Sequence, residues 1–196
     1  MREIVLIRHG ATAGNLEKRY IGSATDEPLC SEGIEVVRSL IKRGRYPEAA
    51  EDALVITSPL RRCVETAGLI YPGVERTEAE NLRECDFGRF EYKNYEELDG
   101  DSDYQAWIDS GGTLPFPGGE DPEEFKARSR NAFMDAVRDN RERSQLIFVV
   151  HGGTVMSVMS SFAKPHREYF DSCVSNGRGF ICDIAGDGTL YVNGEI

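Results

Sequence analysis

Two short stretches of the chain share one form, and they limit what the rest can fold into. Ile4-Val5-Leu6-Ile7 runs into Arg8-His9-Gly10, and Leu146-Ile147-Phe148-Val149-Val150 runs into His151-Gly152-Gly153. Unbroken apolar runs rich in β-branched residues read as strands buried on both faces of a sheet. Each run ends at a histidine followed by glycine. The chain has only three histidines, so two of the three stand at this one kind of place. In open α/β sheets, ligands bind just beyond the carboxyl ends of the strands. If the two strands are parallel neighbours, His9 and His151 meet at one site.

A histidine at a strand end is most often a hydrogen-bonded boundary residue and nothing more. The matched settings weigh against that reading here. Neutral imidazole is a common metal ligand, but Arg8 beside His9 repels a divalent metal and attracts an anion. No HExxH, CxxC or EF-hand spacing is present. An anion site with a histidine nucleophile fits better.

The bulk numbers narrow the partners. The 196 residues suffice for one domain with a sizeable core. A formal net charge of −11 argues against a nucleic-acid or anionic membrane surface. An anionic substrate must then be drawn by a local basic pocket. Cys30, Cys63, Cys85, Cys173 and Cys182 are odd in number and scattered, without disulfide or zinc spacing. They suggest a reducing compartment. No signal peptide or membrane span is legible, so the expected location is cytoplasmic.

Along the chain, Ala11 to Pro28 reads as a long polar loop after the first strand, a common place for function. Within it, Asn15 is equally readable as an amide donor to an oxyanion or as a turn former. Gly22 and Ser23 are weaker candidates for substrate contact. Ser31 reads as the N-cap of a helix whose apolar face holds Ile34, Val36, Val37, Leu40 and Ile41. Ala53 to Thr57 is a second buried strand. Ser58-Pro59 then reads as an N-cap and first helical residue, opening a helix to about Tyr71. That helix start points at the rim that holds His9 and favours anions. Arg61 and Arg62 lie in its first turn, where a cation is opposed by the helix dipole by roughly 0.3–1 kcal/mol. One of them is therefore expected to point into the site.

Val74 to Glu80 reads as a short strand. Glu84 follows in a loop; alone it is one surface carboxylate among many, or else a general acid. Between Asp86 and Glu120 aromatic residues crowd: Phe87, Phe90, Tyr92, Tyr95, Tyr104, Trp107 and Phe116. Short helices are expected near Tyr95–Leu98 and Asp103–Asp109. This insert reads equally as a lid over a substrate and as a satellite core under a long excursion. Asp121-Pro122-Glu123-Glu124 opens the longest helix, with Phe125, Ala132, Phe133, Ala136 and Val137 on its core side. A helix from about Thr154 to Phe162 places the Gly152 and Gly153 N–H groups at the site. Phe180–Ile184 and Thr189–Val192 read as a closing hairpin. His166 reads as a surface residue.

In this order the motifs resemble the histidine phosphatase superfamily, the phosphoglycerate-mutase-like fold. Arg8-His9-Gly10 is similar to its RHG signature, with Thr12 and Asn15 placed as usual after it. Ser58 to Ala67 is similar to its S-x-L-x-R-A-x-x-T-A element, which selects Arg62 over Arg61. Leu82-Arg83-Glu84 with Phe87-Gly88, the Pro117-Gly118-Gly119-Glu120 turn, His151-Gly152-Gly153-Thr154 and Ser175-Asn176-Gly177 complete the match. The small α-ribazole-phosphate and phosphosugar phosphatases are the members it most resembles.

The resemblance implies a single domain over 1–196, with the insert at about 86–120. Its fold would be a three-layer α/β/α sandwich whose mostly parallel sheet has an antiparallel edge. It implies that His9 is the phosphorylated nucleophile and Glu84 the proton donor and acceptor. Arg8, Asn15, Arg62, His151 and the Gly152 N–H would hold the phosphoryl oxygens. It calls for no metal and no cofactor. The expected ligand is a small-molecule phosphomonoester, and the closing hairpin leaves a homodimer open. Ala11, Glu91-Tyr92 and Asp121 depart from the family pattern, which often has Glu, Glu-Gly and Ser there. A phosphoglycerate mutase using the same phosphohistidine, and a non-catalytic phosphate-ester-binding module, are the alternatives.

Overall fold

The computed structural model describes residues 1–196. Seven strands form one sheet: β1 (Arg2–Arg8), β2 (Leu54–Thr57), β3 (Arg76–Glu78), β4 (Gln145–Val150), β5 (Ala163–Lys164), β6 (Gly179–Ile184) and β7 (Leu190–Glu195). Their order across the sheet is β3-β2-β4-β1-β6-β7-β5. The β3, β2, β4 and β1 strands run parallel, while β6 pairs antiparallel with both β1 and β7. The two histidine-bearing strands are neighbours in the middle, in a register that sets Ile7 against Val149 and Arg8 against Val150.

The helices are α1 (Ala13–Leu16), α2 (Ser31–Lys42), α3 (Arg61–Ile70), α4 (Ser102–Asp109), α5 (Pro122–Asp139) and α6 (Gly152–Phe162). Strand alternation builds the layers. Ile4 and Leu6 of β1 face one core with Phe133 and Val137 of α5 and Val155, Val158 and Met159 of α6. Val5 and Ile7 face a second core with Val37 of α2 and Cys63, Ala67 and Ile70 of α3. The sheet is thus covered on both sides, which is why its strands are apolar without interruption. Each fully buried aliphatic side chain stabilises the fold by roughly 1.5–3 kcal/mol.

Several local expectations shift. The cap of α2 is Cys30, whose sulfur accepts from the Gly33 N–H at 3.3 Å, while Ser31 is the first helical residue. The buried face of α2 is Gly33, Val37 and Leu40; Val36 and Ile41 are exposed, because they lie one position off the stripe. Tyr95–Leu98 is a turn, and α4 is the one α-helix of the insert, beside a short 3-10 turn at Gly88–Phe90. The last helix of the parallel half begins at Gly152, two residues before the expected Thr154.

The insert builds its own small core from Cys85, Phe90, Leu98, Phe116 and Phe125, with Tyr20, Phe87, Tyr104 and Trp107 packed around it. Phe87 meets Phe116 edge-on at 4.9 Å, and Tyr104 stacks on Trp107 at 6.3 Å. No helix is long and apolar enough to cross a membrane.

Candidate active site

His9 continues the parallel ladder beyond β1, its N–H donating to the Val150 carbonyl at 2.9 Å. The two strand ends therefore lie side by side, and the rings of His9 and His151 are 5.2 Å apart, edge to face. Both residues are buried. His9 Nδ1 lies 2.7 Å from the Gly10 carbonyl, which can only accept, so Nδ1 carries the proton. Nε2 then holds the lone pair. Burial, and after it the charges of Arg62 and Arg8, hold the His9 pKa well below the usual imidazole value. The ring is therefore uncharged at neutral pH.

Arg62, and not Arg61, is the buried arginine of α3. Arg61 remains outside in an ion pair with Glu65. Arg62 Nη1 donates to Thr25 O at 2.7 Å, and Nη2 to Gly22 O at 3.0 Å and Ile21 O at 3.5 Å. Its Nε–H has no partner in the protein. Arg8 is held in the same manner, with Nη1 donating to Val174 O at 2.7 Å and Nε–H without a partner. A buried unpaired donor costs about 1–3 kcal/mol unless a ligand accepts from it. Two such cationic donors beside two histidines form a site for an oxyanion.

Asn15 and Gly152 complete one side of it. The Asn15 Oδ1 accepts from the Thr12 N–H at 3.2 Å and the Asn176 Nδ2 at 3.2 Å. With its oxygen engaged twice, the amide presents its NH2 as the remaining group. Gly152 opens α6, so its N–H has no intrahelical acceptor. A Cβ at Gly152 would stand 3.5 Å from the Arg8 guanidinium, which places the two donors together.

Glu84 is buried close by. Its Oε1 accepts from the Cys85 N–H at 3.0 Å. Burial raises its carboxyl pKa, against the opposing pull of the Cys85 N–H, Arg62, Arg8 and the Gly153 N–H. A Cβ on Gly153 would fall 2.8 Å from the Glu84 Oε1 and from the Phe125 ring, so only glycine fits there. The site therefore holds a neutral imidazole, fixed cations and a carboxyl group whose pKa is raised.

Gly22 and Ser23 do not present free N–H groups. The Gly22 N–H donates to Glu91 at 3.0 Å, and the Ser23 N–H to the Cys85 carbonyl at 3.0 Å. The loop instead grips Arg62, and Glu91 grips the loop: its carboxylate also accepts from Ala24 N at 3.2 Å and Thr25 Oγ1 at 2.8 Å. Tyr92 next to it has φ 60°, a left-handed conformation that glycine adopts most easily.

Three contributors escape a reading of the sequence. Ser58 is not the cap of α3, whose N-cap is Leu60; the Arg61 N–H is taken by Asp26 Oδ1 at 2.8 Å. The Ser58 hydroxyl instead lies 2.8 Å from His151 Nε2, orienting that ring. Arg128 donates to the carbonyls of Asn81, Arg83 and Glu84, and to both oxygens of Glu120. It thereby fixes the backbone that carries Glu84, and the proline-glycine-glycine turn supplies its counter-charge. The Cys63 sulfur lies 3.5 Å from His151 Nε2, and burial pushes its thiol pKa up, so it is no rival nucleophile. Signals for these existed only as Ser-Pro, PGGE and one arginine among many.

Beyond the histidines a cavity of about 620 Å³ opens between the strand ends, α6 and the aromatic insert, with Arg8, Glu84 and Gly152 in its wall.

Comparison with known proteins places the chain among phosphatases and mutases of one family. A protein named "Putative phosphoserine phosphatase 2" from Hydrogenobacter thermophilus is 30% identical over 163 residues, covering 81% of this chain and 77% of that one. A 2,3-bisphosphoglycerate-dependent phosphoglycerate mutase 2 from Gloeobacter violaceus is 29% identical over 168 residues, covering 81% and 74%. The α-ribazole phosphatase of Shigella flexneri superposes with a TM-score of 0.82 over 97% of this chain and 95% of that chain, at 24% identity, which shows the fold. The family model described as the histidine phosphatase superfamily (branch 1) matches residues 4–192, and the chain belongs to that superfamily.

Proposed function

We propose that this protein hydrolyses small-molecule phosphomonoesters through a phosphohistidine on His9. The observation that carries this reading is a neutral imidazole with a free Nε2 beside two buried arginines whose Nε–H groups have no partner. In the first step Nε2 attacks phosphorus and the bond from phosphorus to the alcohol oxygen breaks. The Glu84 carboxyl gives its proton to that oxygen as it leaves. In the second step water attacks the phosphohistidine, Glu84 takes the water's proton, and inorganic phosphate departs. Arg8, Arg62, His151, Asn15 and the Gly152 N–H hold the phosphoryl oxygens as their charge grows. Fixed cations supply the charge stabilisation that a metal ion gives elsewhere, so turnover should ignore a chelator.

A mutase is the second reading, favoured by the relatives that carry that name. It differs in the fate of the phosphoryl group, which returns to another hydroxyl of the same skeleton. The test is phosphate release from an aryl phosphate with excess chelator, beside 3-phosphoglycerate primed with its bisphosphate. Release from the aryl ester, lost in His9→Ala together with phosphoenzyme, supports the phosphatase. Isomerisation without release supports the mutase, and binding without either reaction supports a phosphate-ester-binding module.

A further inference from the structure

We propose that the leaving alcohol of the preferred substrate carries a planar apolar ring. This rests on the phosphatase reading and names its substrate class. The cavity of about 620 Å³ is far larger than a phosphate and a short alcohol require. Tyr20, Phe87, Trp107, Phe116, Phe125 and Tyr169 supply much of its wall. These rings pack edge-on and tilted against one another, and a further flat ring fits the same pattern.

The polar inventory of the wall points the same way. No Ser, Asn, Gln or Asp lines it. Its hydroxyls are spoken for: Tyr20 and Tyr104 share a hydrogen bond at 3.4 Å, Tyr169 donates to Gly153 O at 3.4 Å, and Thr113 to Ser110 O at 2.9 Å. The Trp107 Nε1–H is buried without a partner and could serve one acceptor; a sugar would leave its other hydroxyls unpaired there, and each buried unpaired polar group costs about 1–3 kcal/mol. Besides Arg8 and Glu84, the only charged side chain is Lys126. Its ammonium lies 2.7 Å from Glu123 and 4.7 Å from the Tyr169 ring centre. With Arg8 given to the phosphoryl group, the cavity has no further unpaired cation for the carboxylate of phosphoserine or phosphoglycerate, and no second acid for an ammonium.

The test compares alcohols of similar leaving ability, so that chemistry is constant and binding differs. Initial rates give kcat/KM for 2-naphthylmethyl phosphate, ethyl phosphate, O-phosphoserine, glucose 6-phosphate and 3-phosphoglycerate. The expected result is a preference of roughly 10–200-fold for the naphthylmethyl ester, the factor that corresponds to burying one large apolar group. In Trp107→Ala that ester should lose about tenfold more than ethyl phosphate does, which separates lost ring contact from general damage. Phosphoserine, the sugar phosphate or phosphoglycerate turned over as well as the ring ester overturns the inference and leaves the phosphatase standing. Ring and ethyl esters lost equally in Trp107→Ala also overturn it. Release from no monoester at all overturns the phosphatase reading, and the inference falls with it.

Discussion

Two buried groups with opposed shifts govern how single residues respond to pH. Burial lowers the His9 pKa and raises that of Glu84, favouring in each the form that the proposed mechanism uses. Activity should fall on the alkaline side as Glu84 loses its proton. In Glu84→Gln that limb should vanish from the pH profile of kcat/KM. Esters of poor leaving groups should slow by about 10²–10⁴, and activated aryl phosphates far less; equal losses would exclude proton donation by Glu84. The same shifts act on stability, with opposite signs. Above the ordinary carboxyl value of 4.5, the unfolded chain has released a proton that folded Glu84 retains, so this group's contribution falls as pH rises through that window. Below the ordinary imidazole value of 6.5, the unfolded chain binds protons that buried His9 and His151 refuse, so their contribution falls as pH drops. Denaturant titrations across pH should show Glu84→Gln losing the first slope and keeping the second.

At the scale of the element, the loop between α1 and α2 links two parts of the site. Its carbonyls hold the Arg62 guanidinium, and Glu91 from the insert holds its N–H groups. Glu91→Ala should therefore weaken inhibition by inorganic phosphate by about tenfold, the effect of losing one charge-assisted anchor at a distance. Glu91→Gln, which keeps one acceptor oxygen, should recover part of that. An unchanged phosphate inhibition constant in Glu91→Ala would show that Arg62 does not depend on the loop. Asp26→Ala should cost about 1 kcal/mol of stability, as the Arg61 N–H at the start of α3 loses its acceptor.

This linkage was hidden in the sequence for a physical reason. Buried strands announce themselves locally, since an apolar run has few other fates, and the strand-end histidines were legible with them. Ser58 also looked local, as a cap before proline, yet its partner is His151, 93 residues away. Glu91 and Arg128 act through backbone groups, which carry no sequence signature. Resemblance to a family found Glu84 and Arg62; hydrophobic pattern alone did not.

Across the whole molecule, the cores that flank the sheet and the aromatic core of the insert differ in depth. α4 has no buried residue, whereas β4 is buried throughout. Amides of Ser102–Asp109 should exchange with solvent through local opening, faster than those of Gln145–Val150, which should open only with global unfolding. Comparable protection in the two segments would contradict this. The parallel register of β1 against β4 has a consequence for how function fails on heating. His9 and His151 are aligned by the pairing of Arg8 with Val150, and a slip of one residue would turn a whole strand's side chains to the wrong face. The chemical centre has no partly formed version; it survives while the sheet survives. The insert that walls the cavity can loosen earlier. Warming should therefore erode the choice among substrates first, while turnover of the smallest esters persists until the sheet itself gives way.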